Sequence, residues 1–225
     1  MIFANFYDND IHNRDVNSLC PGITFFKIQD SSTPTCRPIN HDKELHELMS
    51  AEPYAIKKIA HMYKKHHKHS RYDKNSGNNL ESGEDFFTHV ERAARHPDVS
   101  AIIFDWDRTL QPFESMSTHS FNWWARQFGV TNTKERHKFS RALAIYHAGG
   151  TKRFHKLRNM FSKIKKYSKP VFILTRNPAI TSPGRDVYLH ILHEWGVVPF
   201  SIEYTTDKYA HMSNDKYLQG QLLKF

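Results

Sequence analysis

The sequence predicts an α/β fold, a parallel sheet of short buried strands flanked by helices. Short apolar runs recur near residues 2–7, 23–28, 101–104 and 170–174. Each has the length of one buried strand, and none approaches a membrane span. Between them lie stretches whose apolar residues recur at helical spacing, and strands alternating with helices indicate a parallel sheet. The 225 residues, 39% hydrophobic and 13% aromatic, suffice for one domain with a core of normal size. The chain is therefore read as a single domain, 1–225.

The elements follow in order. Residues 1–30 hold two strands. The first, Ile2 to Tyr7, runs into Asp8-Asn9-Asp10, with Asn13 shortly after; the second spans Ile23 to Ile28. Residues 31–98 form a helical and loop connection. It opens with a Ser/Thr/Pro-rich loop, 31–38, and continues with a helix from about Asp42 to His69. A polar loop with two glycines follows, Asp73 to Gly83. Glu84 to His96 reads as a helix, with Phe87, Val90 and Ala94 in phase. After the strand at Ala101–Phe104, segment 111–169 reads as three short helices. The first runs from about Ser117 to Phe128, with Phe121, Trp124 and Phe128 on one face. The second runs from about Lys134 to His147 and stops at Gly149-Gly150. The third is strongly basic. A strand into Thr175 and a helix from Asp186 to Trp195 come next, with His190 and His193 as structural residues. Ser213 or Asn214 then caps a helix that carries Lys216 in its first turn.

The chemistry concentrates after the third strand. Residues 101–110 read Ala-Ile-Ile-Phe-Asp-Trp-Asp-Arg-Thr-Leu, so Asp105 and Asp107 stand at i and i+2, followed by Thr109. Alternation along an extended chain sends the two carboxylates the same way. They fall beyond the carboxyl end of a strand, where open α/β folds bind ligands. One nucleophilic and one acid/base carboxylate side by side leave room for a cation.

This stretch resembles the first signature of the haloacid dehalogenase superfamily of phosphohydrolases. Pro170-Val-Phe-Ile-Leu-Thr175-Arg-Asn177 resembles the second, a strand ending in Ser or Thr. Lys216 resembles the third, a lysine at a helix start, with Lys208 a weaker rival. The fourth, a strand followed by metal-holding acids, does not follow Lys216; the run into Asp8-Asn9-Asp10 is similar to it. The resemblance therefore implies a circularly permuted, three-layer Rossmann-like core with helices on both faces. Its signatures run in the order four, one, two, three, and a small helical cap lies at about 111–169. It requires the Ile2–Tyr7 strand to lie parallel to, and next to, the Ala101–Phe104 strand.

The activity implied is that of a Mg²⁺-dependent phosphatase working through an aspartyl-phosphate. Asp105 is the implied nucleophile and Asp107 the acid/base. Thr175 and Lys216 hold phosphate oxygens, and Asp8, Asp105 and the backbone carbonyl of Asp107 hold the metal. Arg108 departs from the pattern, which favours a small residue there. Arg176 stands between Thr175 and Asn177, and Trp106 is bulky.

Charge is unevenly spread. Residues 136–185 carry thirteen Lys and Arg and no acid, in a chain of net +9, which leaves the remainder at −4. Lys152, Arg153, Lys156, Arg158, Lys163, Lys165, Lys166 and Lys169 belong to this stretch, interleaved with Phe154, Leu157, Phe161 and Ile164. An amphipathic helix with a solvated basic face accounts for part of this. A field of one sign also concentrates anions. Set over a phosphatase site as a cap, it favours a polyanionic substrate such as a nucleic-acid end. A second basic run, 57–71, contains five Lys, one Arg and four His. Its His66-His67-Lys68-His69 lacks the Cys or carboxylate that would complete a zinc set. The plain reading of 57–71 is a solvated helix, ahead of a contact with nucleic acid or a partner; segments 57–71 and 152–169 are where nucleic acid would meet the chain. The other reading is a nucleic-acid- or protein-binding module on a degenerate scaffold, in which the Asp105/Asp107 pair has no task. Cys20 and Cys36 form no metal-type pair, and a reduced intracellular setting is expected.

Overall fold

The computed structural model describes residues 4–8, 23–27, 78–80, 83–112, 119–175, 183–199 and 201–204. Five strands and five helices are described: β1 Ala4–Asp8, β2 Ile23–Lys27, α1 Phe86–Arg95, β3 Ala101–Phe104, α2 Phe121–Gln127, α3 Thr133–His147, α4 Thr151–Lys166, β4 Val171–Thr175, α5 Arg185–Trp195 and β5 Ser201–Tyr204. The strands form one sheet in the order β2-β1-β3-β4-β5, and every pairing is parallel. The fold is therefore α/β. The Asp42–His69 helix, the 57–71 run and the Lys216 helix lie outside the described residues.

Register explains how the sheet packs. Phe26, Tyr7, Phe104, Ile173 and Ile202 lie in one row across the five strands. Residues opposite one another in register face the same way. Tyr7 stacks on Phe26 and Phe104 with ring centroids 5.2 and 5.6 Å apart. Burial raises the Tyr7 phenol well above its ordinary range, and Asn5 Nδ2 donates to its oxygen at 3.4 Å. The helices meet this same row. Phe86 of α1 is edge-on to Phe104, as is Phe161 of α4. Trp195 of α5 stacks on Trp106 and donates through Nε1 to the Ala144 carbonyl of α3 at 2.9 Å. The opposite face of β3 is buried as well, at Ala101 and Ile103. Burial on both sides is the usual condition of a parallel strand.

Helix limits follow from caps. Asp85, Ser120 and Asn132 accept from backbone N–H groups three residues on, which starts α1, α2 and α3. Helix α2 thus begins after Ser120 and not near Ser117. Gly196, with φ +84°, closes α5 in the left-handed conformation that glycine adopts without strain.

The basic helix α4 is not a cap over the carboxyl ends of the strands. Phe154, Leu157, Met160, Phe161 and Ile164 bury it against α1 and the sheet. It runs back towards the start of β4, where the Pro170 carbonyl accepts from Ile102 N–H at the amino edge of the sheet. Lys163, Lys165 and Lys166 sit in its last turn, about 20 Å along the axis from its start. They belong at the opposite end of the sheet from Asp105. The expectation failed because an amphipathic period gives the buried face of a helix but not its direction or its place in the layer.

Candidate active site

The site starts from the β1–β3 pairing. Tyr7 and Phe104 are in register, and the next residues along are Asp8 and Asp105. Asp105 N–H donates to the Tyr7 carbonyl at 2.9 Å, so the ladder continues to the strand ends. Two acidic positions on adjacent parallel strands thus come together at the carboxyl edge. Leu174 extends the same row on β4, and Thr175, buried, is the residue after it. The sequence positions 8, 105 and 175 meet on three adjacent strands. The side chain of Asp8 and all of Asn9, Asp10, Asn177 and Lys216 lie outside the described residues.

Beyond Phe104 the chain turns, and strand alternation does not carry past it. The Trp106 carbonyl accepts from both Leu110 and Gln111 N–H at 3.0 Å. Asp107 bridges to Gln111, whose side-chain Nε2 donates to Asp107 Oδ1. Arg108 takes φ +57°, a left-handed conformation costly for a residue with a Cβ. Glycine is the residue that takes this conformation without that cost. Asp105 and Asp107 are half-buried, in contact with both core and solvent.

Three supports of this loop were not legible as such. Trp106 is fully buried, stacked on Trp195 and edge-on to Tyr188, so its bulk anchors the loop to α5. Gln111 Oε1 lies 2.8 Å from Nδ1 of the buried His147, at the end of α3. This completes a chain Asp107–Gln111–His147 that fixes one carboxylate oxygen. Arg153, counted from sequence with the solvated basic face, is instead 7% exposed. Its guanidinium donates to the carbonyls of Thr109, Leu110 and Ala148 at 2.7, 2.5 and 3.2 Å, and to Asn78 Oδ1 at 3.1 Å. It clamps the loop from below. Only the phase of Arg153, one residue before Phe154 and four before Leu157, hinted at burial. Among the described residues Thr109 Oγ1 and Trp106 Nε1 are buried and meet no hydrogen-bond partner, and such groups are uncommon in folded proteins.

Among the described residues, no group of three or more His, Cys, Asp or Glu is arranged to hold a metal. The two positions brought side by side at the strand ends, Asp8 and Asp105, are carboxylate residues, the type that suits a hard divalent cation. His190 stacks on Phe121 at 3.7 Å, and burial lowers its pKa. It sits in the α2–α5 contact, away from the carboxylates. No helix among the described residues is long and apolar enough to cross a membrane.

Compared with family models, with curated proteins and with solved structures, the chain finds no match.

Proposed function

We propose that the protein is a Mg²⁺-dependent phosphomonoester hydrolase of the haloacid dehalogenase type, with a circularly permuted three-layer core and β1 as its metal-binding strand. The observation that supports this most is the register of β1 against β3, with Asp8 beside Asp105 at the carboxyl edge. Thr175 on the next strand adds a hydroxyl for a phosphate oxygen.

Asp105 attacks phosphorus in line; an oxygen–phosphorus bond forms to its carboxylate as the bond to the leaving oxygen breaks. Asp107, protonated, gives its proton to that oxygen, and then takes one from the water that releases phosphate. Gln111 donates to Oδ1 of Asp107, which fixes the orientation of that carboxylate. Thr175 and Lys216 stabilise the charge on the non-bridging oxygens. Asp8, Asp105 and the Asp107 carbonyl are the groups that would hold Mg²⁺, which when bound neutralises charge between nucleophile and phosphate. The substrate class of this reading is a polyanionic or nucleic-acid-end phosphomonoester.

The experiment is hydrolysis of a small aryl phosphate in Mg²⁺, with and without chelator, by the wild type and Asp105→Asn. The wild type is expected to turn over only with metal, and Asp105→Asn to retain under about one thousandth of that rate. Activity unchanged in Asp105→Asn from a clean preparation would overturn the nucleophile assignment. No activity in either, with Asp8→Ala equally inert, would favour the binding-module reading.

A further inference from the structure

We infer that the outer surface of the α3–α4 pair is a docking face for nucleic-acid backbone, distinct from the carboxylate site. Lys134, Lys138 and Arg141 stand at i, i+4 and i+7 on α3 and are exposed, so they form one stripe. Arg141 lies 5.6 Å from the ring centroid of Phe154 on α4, and Arg158 of α4 lies 5.7 Å from the same ring. The stripe thus continues from one helix onto the other, over a ring that is itself buried. Lys165, also exposed and seven residues after Arg158, extends it along α4.

Helix stability does not explain these charges. Lys163, Lys165 and Lys166 in the last turn of α4 complement its dipole. Lys152 stands near its start, where positive charge is disfavoured and no acid occupies the first turn, while Lys156 is paired with Asp85 at 3.7 Å. Lys134 is in the first turn of α3 for the same net loss. The acid beside it, Glu135, is exposed but committed to the loop before α3. It accepts from the Thr131 backbone and hydroxyl at 2.9 and 3.1 Å, which holds its pKa below the ordinary 4.5. Among the described residues none of Lys134, Lys138, Arg141 or Arg158 forms an ion pair. Like charges gathered against their own repulsion fit an external polyanion. The α3 stripe spans about 10 Å of helix axis, comparable with three phosphate steps at about 3.4 Å each.

The test is binding of a labelled mixed-sequence oligonucleotide, followed by fluorescence anisotropy between about 50 and 200 mM salt. The wild type should bind with a steep salt dependence. Lys134→Gln/Lys138→Gln/Arg141→Gln/Arg158→Gln should bind about tenfold or more weakly, with the log–log salt slope reduced by about four, one per contact. A control that removes the same charge elsewhere, Arg92→Gln/Arg95→Gln/Arg126→Gln/Arg185→Gln, should change affinity by less than about twofold. Asp105→Asn should bind like the wild type. Should the quadruple variant fail to fold by circular dichroism, Lys134→Gln/Lys138→Gln carries the same test with a slope change of about two. Equal losses in stripe and control variants would reduce the effect to net charge and overturn the proposal. So would the absence of salt-dependent binding, or polyglutamate or anionic vesicles binding through the stripe as tightly as nucleic acid. Loss of binding in Asp105→Asn would merge this face with the carboxylate site.

Discussion

Gln111 carries two duties at once, donating to Asp107 and meeting His147 on another element. Gln111→Leu keeps the volume and removes both contacts. It is expected to cost about 1–3 kcal/mol, the usual result of stripping a buried polar group of a partner, read as a lower urea midpoint. Gln111→Glu is more informative. It keeps an acceptor for His147 but sets a like charge against Asp107, which raises the pKa of the pair. On the proposed chemistry, the pH–rate profile should move to higher pH while Asp105-dependent turnover persists. An unmoved profile would count against Asp107 as the acid. His190 supplies a pH dependence of stability. Burial, the largest effect on it, lowers its folded pKa below the ordinary 6.5, against the opposing pull of Asp186. The unfolded chain then binds more protons below that pH, so stability falls as pH falls through this window. His190→Gln should flatten the difference between urea midpoints measured at about pH 7.5 and pH 5. A variant as pH-sensitive as the wild type would assign the effect to other groups.

At the scale of elements, caps and aromatic seams hold the helices in place. Asn132 Oδ1 accepts from Glu135 N–H at 3.0 Å at the start of α3. Asn132→Ala should cost about 1 kcal/mol, measured as a shift in urea midpoint. Trp195→Phe keeps an aromatic face towards Trp106 but removes the Nε1 bond to the Ala144 carbonyl, which still accepts from Ala148 N–H at 3.0 Å, so about 1 kcal/mol should go with it. The helices over 86–195 were readable because their apolar residues recur at helical spacing and their ends carry Asp, Ser, Asn and Gly. The role of α4 was not. Its period showed a buried face, but whether that face met the sheet or overhung the site depended on Phe161 reaching Phe104. That contact joins residues 57 apart in sequence. The same holds within the site. Asp105, Asp107 and Thr175 follow strands whose apolar runs are visible in sequence, whereas Gln111–His147 and Arg153–Thr109 are long-range pairs with no local signature.

For the molecule as a whole, the parallel alignment of β1 with β3 is the feature on which the carboxylate site depends. Asp8→Ala lies at a strand end and should leave the circular dichroism spectrum and melting temperature nearly unchanged. Under the proposed chemistry it should raise the Mg²⁺ concentration needed for half-maximal activity by about tenfold or more. Unaltered metal dependence would separate β1 from the chemistry.

The strand order also sets a timetable for synthesis. Strand β1 lies between β2 and β3, but β3 is made about a hundred residues later, roughly 5–20 s at ribosomal rates. Until then one edge of β1 offers unpaired amides and carbonyls beside Tyr7, a side chain that the finished fold buries completely. The half-made sheet is thus a sticky intermediate whose natural remedy is a chaperone or speed of elongation. Chains arrested shortly before residue 101 should be captured by hydrophobic-surface chaperones more readily than chains arrested after β4.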